Sequence, residues 1–134
     1  MAFVIGRQFS FAAAHHLTGL PAGHKCSRLH GHTYQVEVQL TGPALDAPGF
    51  VADFQTLEPL GRYLQAELDH RDLNEVLPFQ PTCENLARHL FGWCQGNLPA
   101  GPLVCAVRVS ESPNSWAEYQ AGPDTSTVAP AVTP

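Results

Sequence analysis

The chain has 134 residues, of which 44% are hydrophobic and 14% charged, a size and balance that suit one domain with a substantial core. Twelve acidic against seven basic residues give a formal net charge of −5, which argues against nucleic acid as a partner because phosphate binding needs a basic face. No apolar run is long enough to span a bilayer, and Met1–Arg7 lacks the basic start and long apolar stretch of a signal peptide, so the sequence reads as cytoplasmic with no membrane partner.

In chain order, residues 3–11 read as a first strand and residues 12–29 as a loop holding His15, His16, His24 and Cys26. Residues 32–41 alternate apolar and polar side chains, the pattern of a half-buried second strand, which Thr41-Gly42-Pro43 ends. Asp46–Gly49 is a turn. Phe50–Phe54 is a short extended entry to a helix, and the Asp53 carboxylate can cap its free amides. Leu57, Leu60, Leu64 and Leu68 form the apolar stripe of that helix, which ends near Asp69-His70. A second helix starts at Thr82, a cap residue, with Asn85 in the place where a full capping box has Glu or Gln. Gly96 and Pro99 stop it. Residues 103–110 and 116–120 are the last two strands. The order β-β-α-α-β-β predicts an α+β domain over residues 1–121, a four-stranded antiparallel sheet with two helices on one face. Residues 122–134, rich in Pro, Ala and Thr, are expected to be a disordered tail. Cys26, Cys83, Cys94 and Cys105 show no paired spacing and read as free thiols, the last three as small buried side chains.

The most informative stretch is Cys26-Ser27-Arg28-Leu29-His30-Gly31-His32. Residues two apart on a strand share a face, so His30 and His32 present both imidazoles to one side, with Gly31 leaving room between them. His15 ends the strand-like run Phe9–Ala14, and antiparallel pairing of the two runs brings it beside the pair. Three neutral imidazoles with an open fourth position make the usual catalytic zinc site. A His-x-His pair alone is more often ordinary histidine; the third imidazole and the nearby thiol are what point to a metal enzyme. Lys25 and Arg28 flank Cys26, where cations favour a thiolate and attract an anionic substrate.

Several segments together resemble the 6-pyruvoyltetrahydropterin synthase family, and within it the branch that makes 6-carboxytetrahydropterin for queuosine. They are Phe11–His15, His24–His32, Val51–Phe54, Leu68–His70, Pro81–Asn85 and Val109–Ser112, in family order over about residues 3–119. The short spacing from Cys26 to His30 resembles the carboxytetrahydropterin branch rather than the animal pyruvoyl branch. Ser112 and His16 depart from the family pattern, which usually has Thr and often Arg there. The resemblance implies the tunnelling fold (T-fold), whose subunits pair edge to edge into barrels, and hence a homo-oligomer, expected to be a hexamer. It implies Zn2+ on His15, His30 and His32, and 7,8-dihydroneopterin triphosphate as the substrate.

The implied reaction removes triphosphate and cleaves a carbon–carbon bond, which needs a polarised hydroxyl and a base. Cys26 is the expected base, served by the Asp69-His70 pair, although a histidine there can equally satisfy helix-end carbonyls. Glu111 is expected to accept two N–H groups of the pterin edge and to join the proton relay, although an exposed strand-end Glu is the commoner case. Lys25 and Arg28 are the expected triphosphate contacts. Three readings stay open: a zinc-dependent 6-carboxytetrahydropterin synthase, a 6-pyruvoyltetrahydropterin synthase that leaves the carbon chain intact, and a non-catalytic zinc or pterin-binding module.

Overall fold

A computed structural model describes residues 2–122. Apart from Gly122, the expected disordered tail lies outside the described residues. The sheet has five strands in the order β3-β1-β2-β4-β5: β1 (Phe3–His15), β2 (His30–Gly42), β3 (Arg71–Asp72), β4 (Leu103–Ser112) and β5 (Ser115–Gln120). The expected four antiparallel strands are all there. The correction is β3, two residues paired parallel to Ala13 and Ala14 of β1. A pairing that short leaves no periodicity in the sequence. β1 also runs to His15 instead of stopping at Phe11, because each of its residues from Phe3 onward is paired across to β2.

The helices cover one face of this sheet. Asp53 caps a tight turn, Phe54–Leu57, by accepting from Gln55 N at 2.9 Å, and α1 (Glu58–Tyr63) follows. The chain then winds wider over Leu64–Leu68, with Asp69 N bonding back five residues to Leu64 O at 2.8 Å. Leu57, Leu60, Leu64 and Leu68 are all buried, as their spacing requires. A four-residue helix not expected from the sequence, α2 (Leu73–Val76), is capped by Asp72. It precedes α3 (Cys83–Asn97), which Thr82 caps by accepting from Asn85 N at 3.1 Å. These helices pack on Phe11, Tyr34, Val36, Val38, Leu40, Val107 and Val109, so the core is a single layer between helices and sheet. The opposite face of the strands carries Gln8, Ser10, Gln35, Glu37 and Arg108, with Trp116 under the Arg108 guanidinium. Among the described residues no helix is long and apolar enough to cross a membrane.

The four cysteines are free, but only Cys94 is buried; Cys26, Cys83 and Cys105 are half-buried. Cys83 and Cys105 therefore correct the expectation of buried cysteines. Both stand where the core meets the surface, with a polar acceptor in reach of the thiol.

Candidate metal centre and active site

The pairing of β1 with β2 builds the centre of the site. Its register sets His15 opposite His30 and Ala13 opposite His32, one step beyond the stacked core pair Phe11 and Tyr34. All three imidazoles therefore project from the helix-covered face at the end of the core. The ring centroids of His15 lie 4.6 Å from His30 and 5.1 Å from His32, and those of His30 and His32 lie 4.9 Å apart. One nitrogen of each falls within 4.8 Å of the others, close enough to share a metal ion.

Hydrogen bonds decide which nitrogens are free. His15 Nδ1 donates to the Pro81 carbonyl at 2.8 Å, and His30 Nδ1 donates to the Arg28 carbonyl at 2.6 Å. In neutral rings both Nε2 atoms are then acceptors, yet they face each other at 3.1 Å. Two lone pairs at that distance need a shared proton or a cation between them. Among the described residues the buried Nε2 of His32 has no hydrogen-bond partner, which costs stability unless something fills the gap. Burial, before any other cause, holds the His15 pKa below its ordinary value and keeps a ligating imidazole neutral. The donor set fits a tetrahedral divalent cation with one open position.

Glu111 joins this cluster. In the β4–β5 ladder the register shifts between Ser110 and Ser112, leaving Glu111 unpaired at a bulge that re-aims its side chain. Its Oε2 lies 3.7 Å from His32 Nε2, and the Cys83 thiol donates to the same oxygen at 3.5 Å. Burial, with Glu111 adding to it, pushes the Cys83 thiol up to about 12. Sequence reasoning missed Cys83; its place beside the cap residue Thr82 was the available signal.

Asp69 and His70 form a second group. The Asp69 carboxylate accepts from Ala12 N at 2.9 Å and from His70 Nδ1 at 2.8 Å. The Ala12 amide first, and then His70, hold the Asp69 carboxyl below the usual carboxylate range. His70 takes a left-handed backbone at φ 59° and donates its own N–H to Ala12 O at 2.6 Å. A non-glycine residue keeps that conformation only where its surroundings enforce it, and functional sites are where such strain collects. His70 opens onto a depression of about 560 Å3 lined by small residues, Ala12, Ala14 and Gly31 among them, that reaches His32.

Lys25 and Cys26 sit on a short turn, Lys25–Ser27, in the loop between β1 and β2, which is held where Leu17 N donates to Cys26 O at 2.8 Å. Arg28 follows the turn, and its carbonyl accepts from His30 of the histidine cluster. Among the described residues the Cys26 thiol makes no hydrogen bond, and the exposed Lys25 and Arg28 form no ion pair. None of these three, nor Glu111, lines the depression at His70.

The family model described as 6-pyruvoyl tetrahydropterin synthase matches residues 4–122. An Archaeoglobus fulgidus relative is 36% identical over 117 residues, covering 87% of this chain and 95% of its own. A Bacillus subtilis protein named 6-carboxy-5,6,7,8-tetrahydropterin synthase is 34% identical over 125 residues, covering 88% of this chain and 85% of its own. The solved structure of Caenorhabditis elegans 6-pyruvoyl tetrahydropterin synthase superposes with a TM-score of 0.78 at 26% identity, covering 91% of this chain and 97% of that one. This likeness bears out the expected fold class.

Two histidines, the buried His15 and the half-buried His89 of α3, give stability a defined pH dependence. Burial lowers the pKa of both His15 and His89 in the folded chain. The unfolded chain therefore binds more protons as pH falls through about 6.5, and stability that is fully present above that pH is lost below it. Thermal unfolding of the metal-free protein should give a lower Tm at pH 5.5 than at pH 7.5; an equal or higher Tm at pH 5.5 would contradict the assignment.

Proposed function

This chain belongs to the 6-pyruvoyl tetrahydropterin synthase family, and from that premise we propose that it is a 6-carboxytetrahydropterin synthase. The reaction converts 7,8-dihydroneopterin triphosphate to 6-carboxy-5,6,7,8-tetrahydropterin, acetaldehyde and triphosphate, in the cytoplasm, as a step toward the 7-deazaguanine of queuosine. The observation that carries this reading is the convergence of three imidazoles, one with an orphaned buried nitrogen, beside a carboxylate at the end of the sheet. The likeness to the Bacillus subtilis 6-carboxy-5,6,7,8-tetrahydropterin synthase, over most of both chains, supports the carboxytetrahydropterin product.

In this reading His15, His30 and His32 hold zinc. Bound there, zinc supplies a Lewis acid for the side-chain oxygens of the substrate. Glu111 accepts two parallel N–H donors from the pterin edge and fixes the ring. The Cys26 thiolate takes the proton from a side-chain hydroxyl, and His70, oriented by Asp69, receives and returns it. Lys25 and Arg28 attract the triphosphate, for which their exposure leaves them available.

The second reading, a 6-pyruvoyltetrahydropterin synthase, is favoured by the likeness to the Caenorhabditis elegans structure of that name. Product analysis separates the two. Purified enzyme given 7,8-dihydroneopterin triphosphate should release acetaldehyde together with triphosphate. Triphosphate without acetaldehyde would establish the pyruvoyl activity instead. Cys26→Ala should keep the fold and the metal while turnover drops by about two to four orders of magnitude; near-normal turnover would remove Cys26 from the mechanism. A pure binding module predicts no turnover in the parent protein either.

Metal content tests the ligand set on its own. The protein should carry about one zinc per chain through three imidazoles. His30→Ala and His32→Ala should each lose most of it by elemental analysis. Full retention in both variants would rule the trio out.

Assembly follows from the sheet edges. Among the described residues β3 covers only Ala13 and Ala14 of β1, which leaves the rest of that edge and the outer edge of β5 unpaired. Phe3, Val4, Trp116 and Tyr119, on these two edge strands, are all exposed. Open edges with apolar residues favour pairing with further copies of the chain. In the proposed hexamer, neighbouring subunits complete each other's sites, bringing Cys26 to an Asp69-His70 pair. Light scattering across a dilution series should show activity disappearing with dissociation; a fully active monomer would refute this arrangement.

A further inference from the structure

The start of α3 and the turn before it reach the site in two places. The Pro81 carbonyl accepts from the metal-facing His15 through Nδ1 at 2.8 Å, and two residues later Cys83 Sγ donates to Glu111 Oε2 at 3.5 Å. Between them Thr82 caps the helix, and Asn85 Nδ2 donates back to the Gln80 carbonyl at 3.0 Å. This turn is therefore fixed by its own bonds before it touches either group.

Glu111 needs such a restraint. It sits unpaired at the β4–β5 bulge, and its Oε2 is 3.7 Å from the one buried imidazole nitrogen that lacks a partner. A carboxylate there has two competing uses. It can face a pterin, or it can swing onto the cation as a fourth ligand and close the open position, since carboxylate oxygens ligate zinc well. Among the described residues, Cys83 is the only side chain that donates a hydrogen bond to Glu111. Its high pKa keeps the thiol protonated, and so a donor, at neutral pH.

We propose that Cys83 is a positioning residue whose S–H holds the Glu111 carboxylate off the metal position and turned toward the pterin. The proposal rests on the reading of Glu111 as the pterin anchor, and its test separates the two. Zinc-loaded Cys83→Ala, Cys83→Ser and Glu111→Gln would be compared for KM and kcat, for the fluorescence-monitored Kd of unsubstituted pterin, and for the rate of zinc transfer to a chelator. Losing one hydrogen bond to a charged group should raise KM and the pterin Kd of Cys83→Ala by roughly tenfold, with kcat within about twofold. Zinc transfer from that variant should slow, because Glu111 is released to ligate. Cys83→Ser, which keeps a donor, should restore the pterin Kd. Two results overturn the proposal while leaving the anchor standing: unchanged pterin affinity in Cys83→Ala while Glu111→Gln weakens it, or Cys83→Ser as impaired as Cys83→Ala. Unchanged pterin affinity in Glu111→Gln would overturn the anchor itself, and the proposal with it.

Discussion

The register between β1 and β2 is the constraint on which the site depends. Side chains alternate between faces with a period of two, so a slip of one residue would send a strand's whole apolar set to the wrong side. The stacked pair Phe11 and Tyr34, with ring centroids 5.0 Å apart, sits in the core at the adjoining register position. The pairing that buries those rings also sets His15 opposite His30 and Ala13 opposite His32. Ala13 is small, which leaves the space over it to the imidazole of His32. The packing of the hydrophobic core thus also fixes the positions of the three histidines. Tyr34 joins core and site directly, since its hydroxyl lies 3.2 Å from His15 Nδ1.

A cluster of this kind opposes folding locally. His15 is 1% exposed, the acceptor nitrogens of His15 and His30 meet at 3.1 Å, and the buried Nε2 of His32 has no partner. Each feature is unfavourable in a metal-free chain. Backbone carbonyls at Arg28 and Pro81 hold two of the rings in this arrangement nonetheless. Those bonds point the two Nε2 lone pairs inward, toward the position an ion would take. Such preorganisation lowers the cost of forming the bound geometry and also fixes the tautomers.

Much of this was legible in the chain because the relevant signals are local. Alternation over residues 33–40 marked β2, and the leucines from Leu57 to Leu68 marked the helix that covers it. His30 and His32 share a face because of strand geometry alone. What stayed hidden depends on contacts distant in sequence. Ala12–Ala14 carry no alternation of size or polarity, so they read as loop, and only pairing on both sides makes them strand. β3 exists because the wide turn over Leu64–Leu68 and the left-handed backbone of His70 deliver Arg71 and Asp72 alongside β1. The bulge that turns Glu111 toward the histidines follows from a mismatch between β4 and β5, which no single segment announces. Cys83 read as filler because a lone cysteine is usually just that; its neighbour across 28 residues gives it an acceptor.

The distribution of groups within one chain bears on the proposed assembly. The imidazoles and Glu111 gather at one end of the helix-covered face. The Asp69-His70 pair lies at the β1–β3 edge and opens onto a depression that Glu111 does not line. Cys26 is carried on a loop with no hydrogen bond to its thiol among the described residues. Backbone bonds hold both parts in place. Asp69 and His70 bracket the Ala12 amide and carbonyl, while the Cys26 carbonyl is tied to Leu17. In the proposed assembly, a second copy docked on the sheet edges brings further groups to the site without disturbing any of these bonds.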